Sequence, residues 1–194
     1  MKPTLVGVLC LQNGRCYHKC MTRNIAYIDG QNLHLATHKH PSEPWSISLI
    51  KFREYLLKKY NVIDAYYWLG FVNNENDSLY EEIQKAGFIL KFREHSSVLA
   101  SIKKGNVDTD IVFDVMVRMY RKETFDGVVM VSGDGDYKRL VDFLIEEKKL
   151  AKILFPDKKR ASSLYKSINN NFYINLSETD IRRKIQKEKG DLGS

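Results

Sequence analysis

The chain has 194 residues, a length at which one domain with a single sizeable core is expected. Hydrophobic residues make up 43% and charged residues 28% of the chain, which is typical of a globular protein and excludes a low-complexity one. The net charge of +7 favours a polyanionic partner, and the apolar run at residues 5–11 is too short to span a bilayer.

The basic residues are concentrated towards the two ends of the chain. Residues 1–23 hold four Lys or Arg and no acid, and residues 158–189 hold nine Lys or Arg against three acids. A globular body with an acidic centre and a basic C-terminal flank suits a nuclease better than a protein that coats nucleic acid.

All three cysteines lie in the first twenty residues, which gives no support for a disulfide framework and favours the reducing cytoplasm. Cys10, Cys16, His18 and Cys20 have the donor types of a zinc site, but their spacing matches no common zinc knuckle. The favoured interpretation is that residues 1–22 form an N-terminal extension that is disordered or not native.

Apolar runs of strand length alternate with helical patterns along the rest of the chain. Strands are predicted at 24–28, 62–69, 88–92, 128–131, 152–155 and 172–174, and helices at 46–60, 79–86, from Asp108 onward, 136–149, 161–168 and 178–187. Asp29 and Gly30 are predicted to form a turn after the first strand. This alternation implies right-handed crossovers and a parallel sheet.

Acidic residues recur where such a sheet brings them together. Asp29 and Asp134 follow predicted strands, and Asp108 and Asp136 are placed as N-caps of the helices that come next. Ligands of open α/β sheets bind at the carboxyl ends of the strands. Taken alone, each acid is a turn former or a helix cap, but several carboxylates placed together repel one another unless a cation joins them. Oxygen ligands suit Mg²⁺ or Mn²⁺, so the pattern predicts metal-dependent hydrolysis of a phosphodiester.

The residues around these acids support the same interpretation and leave one choice open. Asn32 and Ser132 are predicted to orient the ligand carboxylates from behind. Asp110 and Asp114 lie one helical turn apart on a shared face, so either competes with Asp108 for the place of the inner ligand.

Two other acidic motifs do not fit the sequence. An EF-hand loop needs an oxygen ligand at its fifth position and glycine at its sixth, where this chain has Lys138 and Arg139. A haloacid-dehalogenase-type phosphatase needs a second Asp two residues after the first, and the position two residues after Asp29 is Gln31. A phosphoryl-enzyme mechanism is therefore excluded from the leading hypotheses.

Three ordered blocks of the chain resemble the signature blocks of the NYN domain, the PIN-like nuclease group that includes the LabA-like bacterial proteins. The blocks are Tyr27-Ile28-Asp29-Gly30-Gln31-Asn32-Leu33, Lys104-Gly105-Asn106-Val107-Asp108-Thr109-Asp110 with Asp114, and Val131-Ser132-Gly133-Asp134-Gly135-Asp136-Tyr137. The resemblance spans residues 23–176 and leaves a basic C-terminal helix and tail at 177–194. Asn106 is an extra residue within the usual Lys-Gly-Val-Asp motif.

The resemblance implies an α/β architecture, the three-layer Rossmann-like PIN fold, with a mostly parallel central sheet of about five strands. It also implies a metal-dependent endoribonuclease that uses Mg²⁺ or Mn²⁺. By matching position, Asp29, Asp108, Asp134 and Asp136 carry over as catalytic metal ligands, and Asp110 is a further candidate ligand. Asn32, Ser132 and Asp114 carry over as supporting residues.

The expected partner is RNA, and single-stranded RNA is favoured over double-stranded RNA. No association with a membrane is expected, and a homodimer is possible on this resemblance. Lys103, Lys104, Arg93 and Lys158 are the candidate phosphate contacts. The aromatic run Tyr66–Trp68 offers either base stacking or simple core packing, and the second is favoured. The rival hypothesis is a catalytically silent RNA-binding or regulatory domain of the same fold.

Overall fold

Six parallel strands form the central sheet in the structure, a computed structural model that describes residues 11–12, 15–16, 22–39, 44–70, 72–93 and 107–188. The strands are β1 (Asn24–Asp29), β2 (Val62–Leu69), β3 (Ile89–Phe92), β4 (Gly127–Val131), β5 (Leu150–Phe155) and β6 (Tyr173–Asn175). Their order across the sheet is β3-β2-β1-β4-β5-β6, and every pairing is parallel. The predicted α/β class is confirmed, and this order is that of a Rossmann-like sheet.

Helices cover both faces of the sheet and make the fold three-layered. They are α1 (Gly30–Thr37), α2 (Leu49–Tyr60), α3 (Asp77–Lys85), α4 (Val107–Tyr120), α5 (Lys138–Glu146) and α6 (Thr179–Ile185). Buried residues of α1, α2, α3 and α6 pack on one face, and those of α4 and α5 pack on the other. The connections therefore change faces between β3 and β4, which makes the β1–β4 boundary the switch point of the sheet.

The two strands at the switch point are buried along their whole length. All six residues of β1 and all five of β4 are buried, because each strand has a neighbour on both sides and helices above and below. Strands in that position are nearly continuous apolar runs, which is why the sequence reveals them clearly.

The predicted turn at Asp29-Gly30 is wrong, because α1 begins at Gly30 directly after β1. Asp29 caps this helix by accepting a hydrogen bond from the backbone N–H of Asn32. A Cβ at position 30 would lie 2.8 Å from the carbonyl oxygen of Trp68, so only glycine allows α1 to leave the strand so close to β2.

Three other expectations about local structure need correction. Asp108 is the second residue of α4 rather than the residue before it, since the helix begins at Val107. Asp136 lies inside a 3₁₀ turn, Gly135–Tyr137, whose N-cap is Asp134, and α5 begins only at Lys138. The helix predicted at 161–168 consists of a 3₁₀ segment, Ser163–Ser167.

Two sequence expectations fall on the N-terminal region and on the loop before α4. The side chains of Cys10, Cys16, His18 and Cys20 lie outside the described residues, as do Lys103 and Lys104. Within the described ranges, no helix has the length and apolar character needed to cross a bilayer.

Candidate metal centre

The acidic residues meet at the carboxyl ends of β1 and β4. Ile28 of β1 pairs in register with Val131 of β4, so Asp29 and Ser132 leave the sheet side by side. The first turn of α4 approaches the same edge and brings Asp108 there. The sequence prediction that separate segments gather their acids at one edge is therefore matched by the topology.

Three carboxylates form a compact cluster at this edge. Asp108, Asp134 and Asp136 each offer one oxygen, and these oxygens all lie within 4.8 Å of one another. Asp108 is buried, Asp134 is partly exposed and Asp136 is exposed, so the cluster has an inner wall and an open side. We call these three residues the acidic cluster.

The loop after β4 is held in shape by its own polar groups. The N–H of Asp134 donates to the fully buried hydroxyl oxygen of Ser132 at 3.1 Å. The N–H of Asp136 donates to Oδ1 of Asp134 at 3.1 Å, which caps the 3₁₀ turn and fixes the two carboxylates relative to each other.

Asn32 links this loop to α1 across the switch point. Its Oδ1 accepts a hydrogen bond of 2.9 Å from the N–H of Gly133, 101 residues away in the chain. On the other side, a Cβ at position 135 would lie 2.5 Å from the hydroxyl oxygen of Ser162, so glycine is required for the loop to pack there. Asn32 and Ser132 thus both hold the backbone of the loop that carries Asp134.

Asp29 lies behind the acidic cluster and is almost fully buried, with 6% of its surface exposed. Its Oδ1 caps α1, and its Oδ2 accepts a hydrogen bond of 3.3 Å from the hydroxyl of Tyr137. Burial, followed by the charge of Asp108, raises the pKa of Asp29 to about 6, against the lowering effect of the Asn32 N–H. Its proton therefore competes with any cation bound nearby at mildly acidic pH.

Tyr137 is a site residue to which the sequence analysis assigned no role. Its buried hydroxyl hydrogen-bonds with Asp29 and with Asp108, so it joins the acid of β1 to the acid of α4. Burial first, and then the charge of Asp29, raises the pKa of Tyr137 above its usual value, so the hydroxyl remains a donor. The sequence signal was its position directly after Asp136, but a buried core tyrosine has the same signature.

Asp110 and Asp114 do not join the acidic cluster. Oδ2 of Asp110 lies 3.8 Å from Nε of Arg93. Arg93, a predicted phosphate contact, is therefore in an ion pair with Asp110. Asp114 pairs with Arg118 at 2.7 Å and accepts a hydrogen bond from the buried hydroxyl of Tyr27. Of the three acids in the middle block, Asp108 is the one that meets Asp134 and Asp136.

The remaining predicted contacts divide between surface and core. Lys158 is exposed, and its Nζ lies 4.7 Å from the centre of the Tyr173 ring. Tyr66, Tyr67 and Trp68 are buried in β2, so this run is core rather than a stacking platform for bases.

The donor set of the acidic cluster fits a hard divalent cation. Three carboxylates at this separation repel each other, and a bound dication removes that repulsion. The cluster contains oxygen donors and no His or Cys, which favours Mg²⁺ or Mn²⁺ over softer metals. The exposed carboxylate of Asp136 makes the cluster accessible from solvent.

Comparisons with known proteins agree with this fold. The family model described as the NYN domain matches residues 24–176. The chain is 23% identical over 175 residues to the Low amplitude and bright protein LabA of Synechococcus elongatus, and the match covers 86% of this chain and 89% of LabA. A crystal structure of a Vibrio parahaemolyticus protein of unknown function superposes with a TM-score of 0.65 at 16% identity, covering 88% of this chain and 100% of that one, which supports the fold alone.

NYN domains are part of the PIN-like nuclease superfamily, whose members use divalent metals. The chain therefore belongs to the NYN domain family.

Proposed function

We propose that the protein is a metal-dependent endoribonuclease that hydrolyses phosphodiester bonds of single-stranded RNA. The observation that carries the proposal is the acidic cluster, in which Asp108, Asp134 and Asp136 from two separate segments place oxygens within 4.8 Å of one another. Its position at the switch point, the usual ligand site of such sheets, supports the same conclusion.

The acidic cluster has the donors to hold Mg²⁺ or Mn²⁺, with Asp29 behind it as a further carboxylate that restrains Asp108 through Tyr137. A bound dication supplies Lewis-acid stabilisation of the charge that develops on the phosphodiester and acidifies the attacking water. We expect the product to carry a 5′-phosphate, as in PIN-like chemistry.

The side chains around the cluster act by keeping it rigid. Asn32 fixes the loop after β4 to α1, and Ser132 fixes the backbone of Asp134. Carboxylates held in one arrangement need no reorganisation when a cation and a phosphate arrive, which is how preorganised sites lower a barrier.

The test is cleavage of internally labelled single-stranded RNA by the purified protein with Mn²⁺, with Mg²⁺ and with EDTA. We expect Asp134→Asn to reduce cleavage by about 1000-fold or more, because it removes one ligand charge from the cluster. Asp180→Asn is the matched control, since Asp180 is an exposed acid on α6. Manganese binding by calorimetry provides a readout independent of turnover.

Each outcome decides between the hypotheses. Cleavage that survives EDTA or Asp134→Asn would exclude the metal mechanism. Tight RNA binding with no cleavage under either metal would instead support the catalytically silent RNA-binding domain.

A further inference from the structure

A cleft of about 480 Å³ lies beside the acidic cluster and is not part of it. Phe155 at the end of β5 and Tyr173 at the start of β6 form one side. The connection between these strands, at residues 158–166, forms the other side. Its volume is within the range of small-ligand sites in proteins.

The cleft is basic. Lys158, Lys159 and Lys166 line it together with the hydroxyls of Ser162 and Ser163, and no Asp or Glu is among the described residues that line it. All three lysines are exposed, so their ammonium groups are available to an anion in solution. Ammonium groups and hydroxyls are common ligands of backbone phosphates.

The cleft and the acidic cluster share a wall. Tyr165 lines the cleft, and its hydroxyl donates to the carbonyl oxygen of Asp134 at 2.6 Å. The N–H of Ser162, a second lining residue, donates to the carbonyl oxygen of Gly133 at 2.9 Å. Residues that line the cleft therefore also hold the backbone of the loop that carries Asp134.

Lys158 is positioned by contacts of both its backbone N–H and its side-chain ammonium group. Its N–H donates to Oδ1 of Asn175 at 3.1 Å, and its Nζ lies 4.7 Å above the Tyr173 ring. A lysine positioned in this way loses less side-chain entropy when it binds a phosphate than a freely rotating one.

A second lysine-rich cleft, on α2 and α6, differs in its charge balance. It has a volume of about 360 Å³, and its lysines include Lys51, which pairs with Glu188, and Lys58, which pairs with Glu54. Its lining residues come from α2 and from Lys184 on α6, helices on the sheet face opposite α4. This cleft supplies a matched control for charge.

We propose that the cleft beside the acidic cluster binds a backbone phosphate of the RNA strand next to the one that is cleaved. This inference rests on the proposed function for the identity of the strand. The lysines hold the phosphate, and the shared wall of Ser162 and Tyr165 sets its distance from the cluster.

The experiment measures binding of a fluorescent single-stranded RNA by anisotropy in EDTA over a range of salt concentrations, and cleavage separately in Mn²⁺. We expect Lys158→Gln/Lys166→Gln to weaken binding about tenfold and to lower the log–log salt slope by about 0.7 for each phosphate contact removed. In cleavage, KM rises and kcat is unchanged, because the lysines bind the strand away from the reacting atoms. The control, Lys59→Gln/Lys184→Gln, removes the same charge from the other cleft.

A second variant guards against a change in folding. Lys159→Gln/Lys166→Gln leaves the contact between Lys158 and Tyr173 in place, and we expect it to weaken binding in the same direction. Equal losses in the cleft variants and the control would overturn the inference, even if the wild type cleaves RNA. Selective loss of binding with a wild type that never cleaves would support the cleft and contradict the nuclease proposal.

Discussion

Helix α4 carries two kinds of carboxylate within two turns. Asp108 faces Asp134 and Asp136, so the fold has placed like charges together. Asp110 and Asp114, further along the same helix, face Arg93 and Arg118. The same residue type therefore forms an ion pair where an arginine lies opposite, and forms a candidate ligand site where another carboxylate lies opposite.

The difference has a physical basis in what each arrangement costs the folded protein. An Asp paired with Arg contributes to folding or is close to neutral, whereas removing its partner leaves a partly buried charge uncompensated. Clustered carboxylates repel one another and destabilise the folded state without a cation. A cation that binds the folded state removes this repulsion and raises the free energy of unfolding. Substitutions along α4 should therefore separate activity from stability.

Among the acids of α4, the largest effect is expected from Asp108→Asn. We expect it to reduce cleavage of RNA by about 1000-fold, roughly 4 kcal/mol, and to weaken Mn²⁺ binding, because it removes the buried carboxylate of the acidic cluster. Asp110→Asn, two residues away on the same helix, should keep cleavage within about tenfold of the wild type, since Asp110 faces Arg93. Cleavage rates and Mn²⁺ titrations of both variants make the test.

This pair of variants can break the comparison directly. If Asp110→Asn abolishes metal binding while Asp108→Asn retains it, the inner ligand is the other acid. A loss of equal size in both would mean that the arginine contact does not separate the two roles.

Asp114→Ala tests the opposite side of the comparison. We expect a loss of about 3 kcal/mol in the free energy of unfolding, because Arg118 keeps only Glu123 of its two carboxylate partners and the buried hydroxyl of Tyr27 loses its acceptor. Urea unfolding measures this loss, and Asp180→Ala, at an exposed position, should change it by less than about 0.5 kcal/mol.

The two readouts distinguish a structural acid from a ligand. Mn²⁺ affinity of folded Asp114→Ala should equal that of the wild type. A large fall in that affinity with unchanged stability would place Asp114 in the metal site after all.

Much of the fold was predictable because β1 and β4 are apolar, β-branched runs buried on both sides. Helix α1 was missed because only Leu33 and Ala36 of its apolar residues are buried, which is too few for a helical pattern in eight residues. Its start depends on Asp29 and on the close approach to Trp68, a contact between segments that a sequence pattern does not contain.

The sequence predicted that several acids would gather at one edge of the sheet. It did not predict which acids of α4 would lie there. Strand ends placed Asp29 and Asp134 at one edge, but the orientation of α4 depends on Val107, Ile111 and Val115 packing against the sheet. The role of Asp114 had a sequence signal, since Arg118 lies four residues later and such pairs meet on a helix face. Arg93, in contrast, comes from the end of β3, and only the folded chain brings it to Asp110.

The smallest effect concerns Asp29, the buried acid that stands between the two kinds. Its folded pKa of about 6 exceeds the usual value of 3.8, so the folded state binds more protons than the unfolded state between these two values. Stability without metal therefore falls as pH rises through this window, and the full cost is present above it. We expect Asp29→Asn to stabilise the metal-free protein by about 2 kcal/mol at pH 7.5, because the amide has no charge to bury.

Urea unfolding of the wild type and Asp29→Asn in EDTA, at about pH 4 and pH 7.5, measures this difference. The gain should be much smaller at the lower pH, where the folded-state carboxyl is protonated and the unfolded-state carboxyl is close to its own pKa of 3.8. The Asn side chain retains an oxygen to accept the N–H of Asn32, so the cap of α1 is preserved and does not obscure the result. A gain of the same size at both pH values would show that burial of the charge is not its cause, and would move Asp29 to the structural side of the comparison.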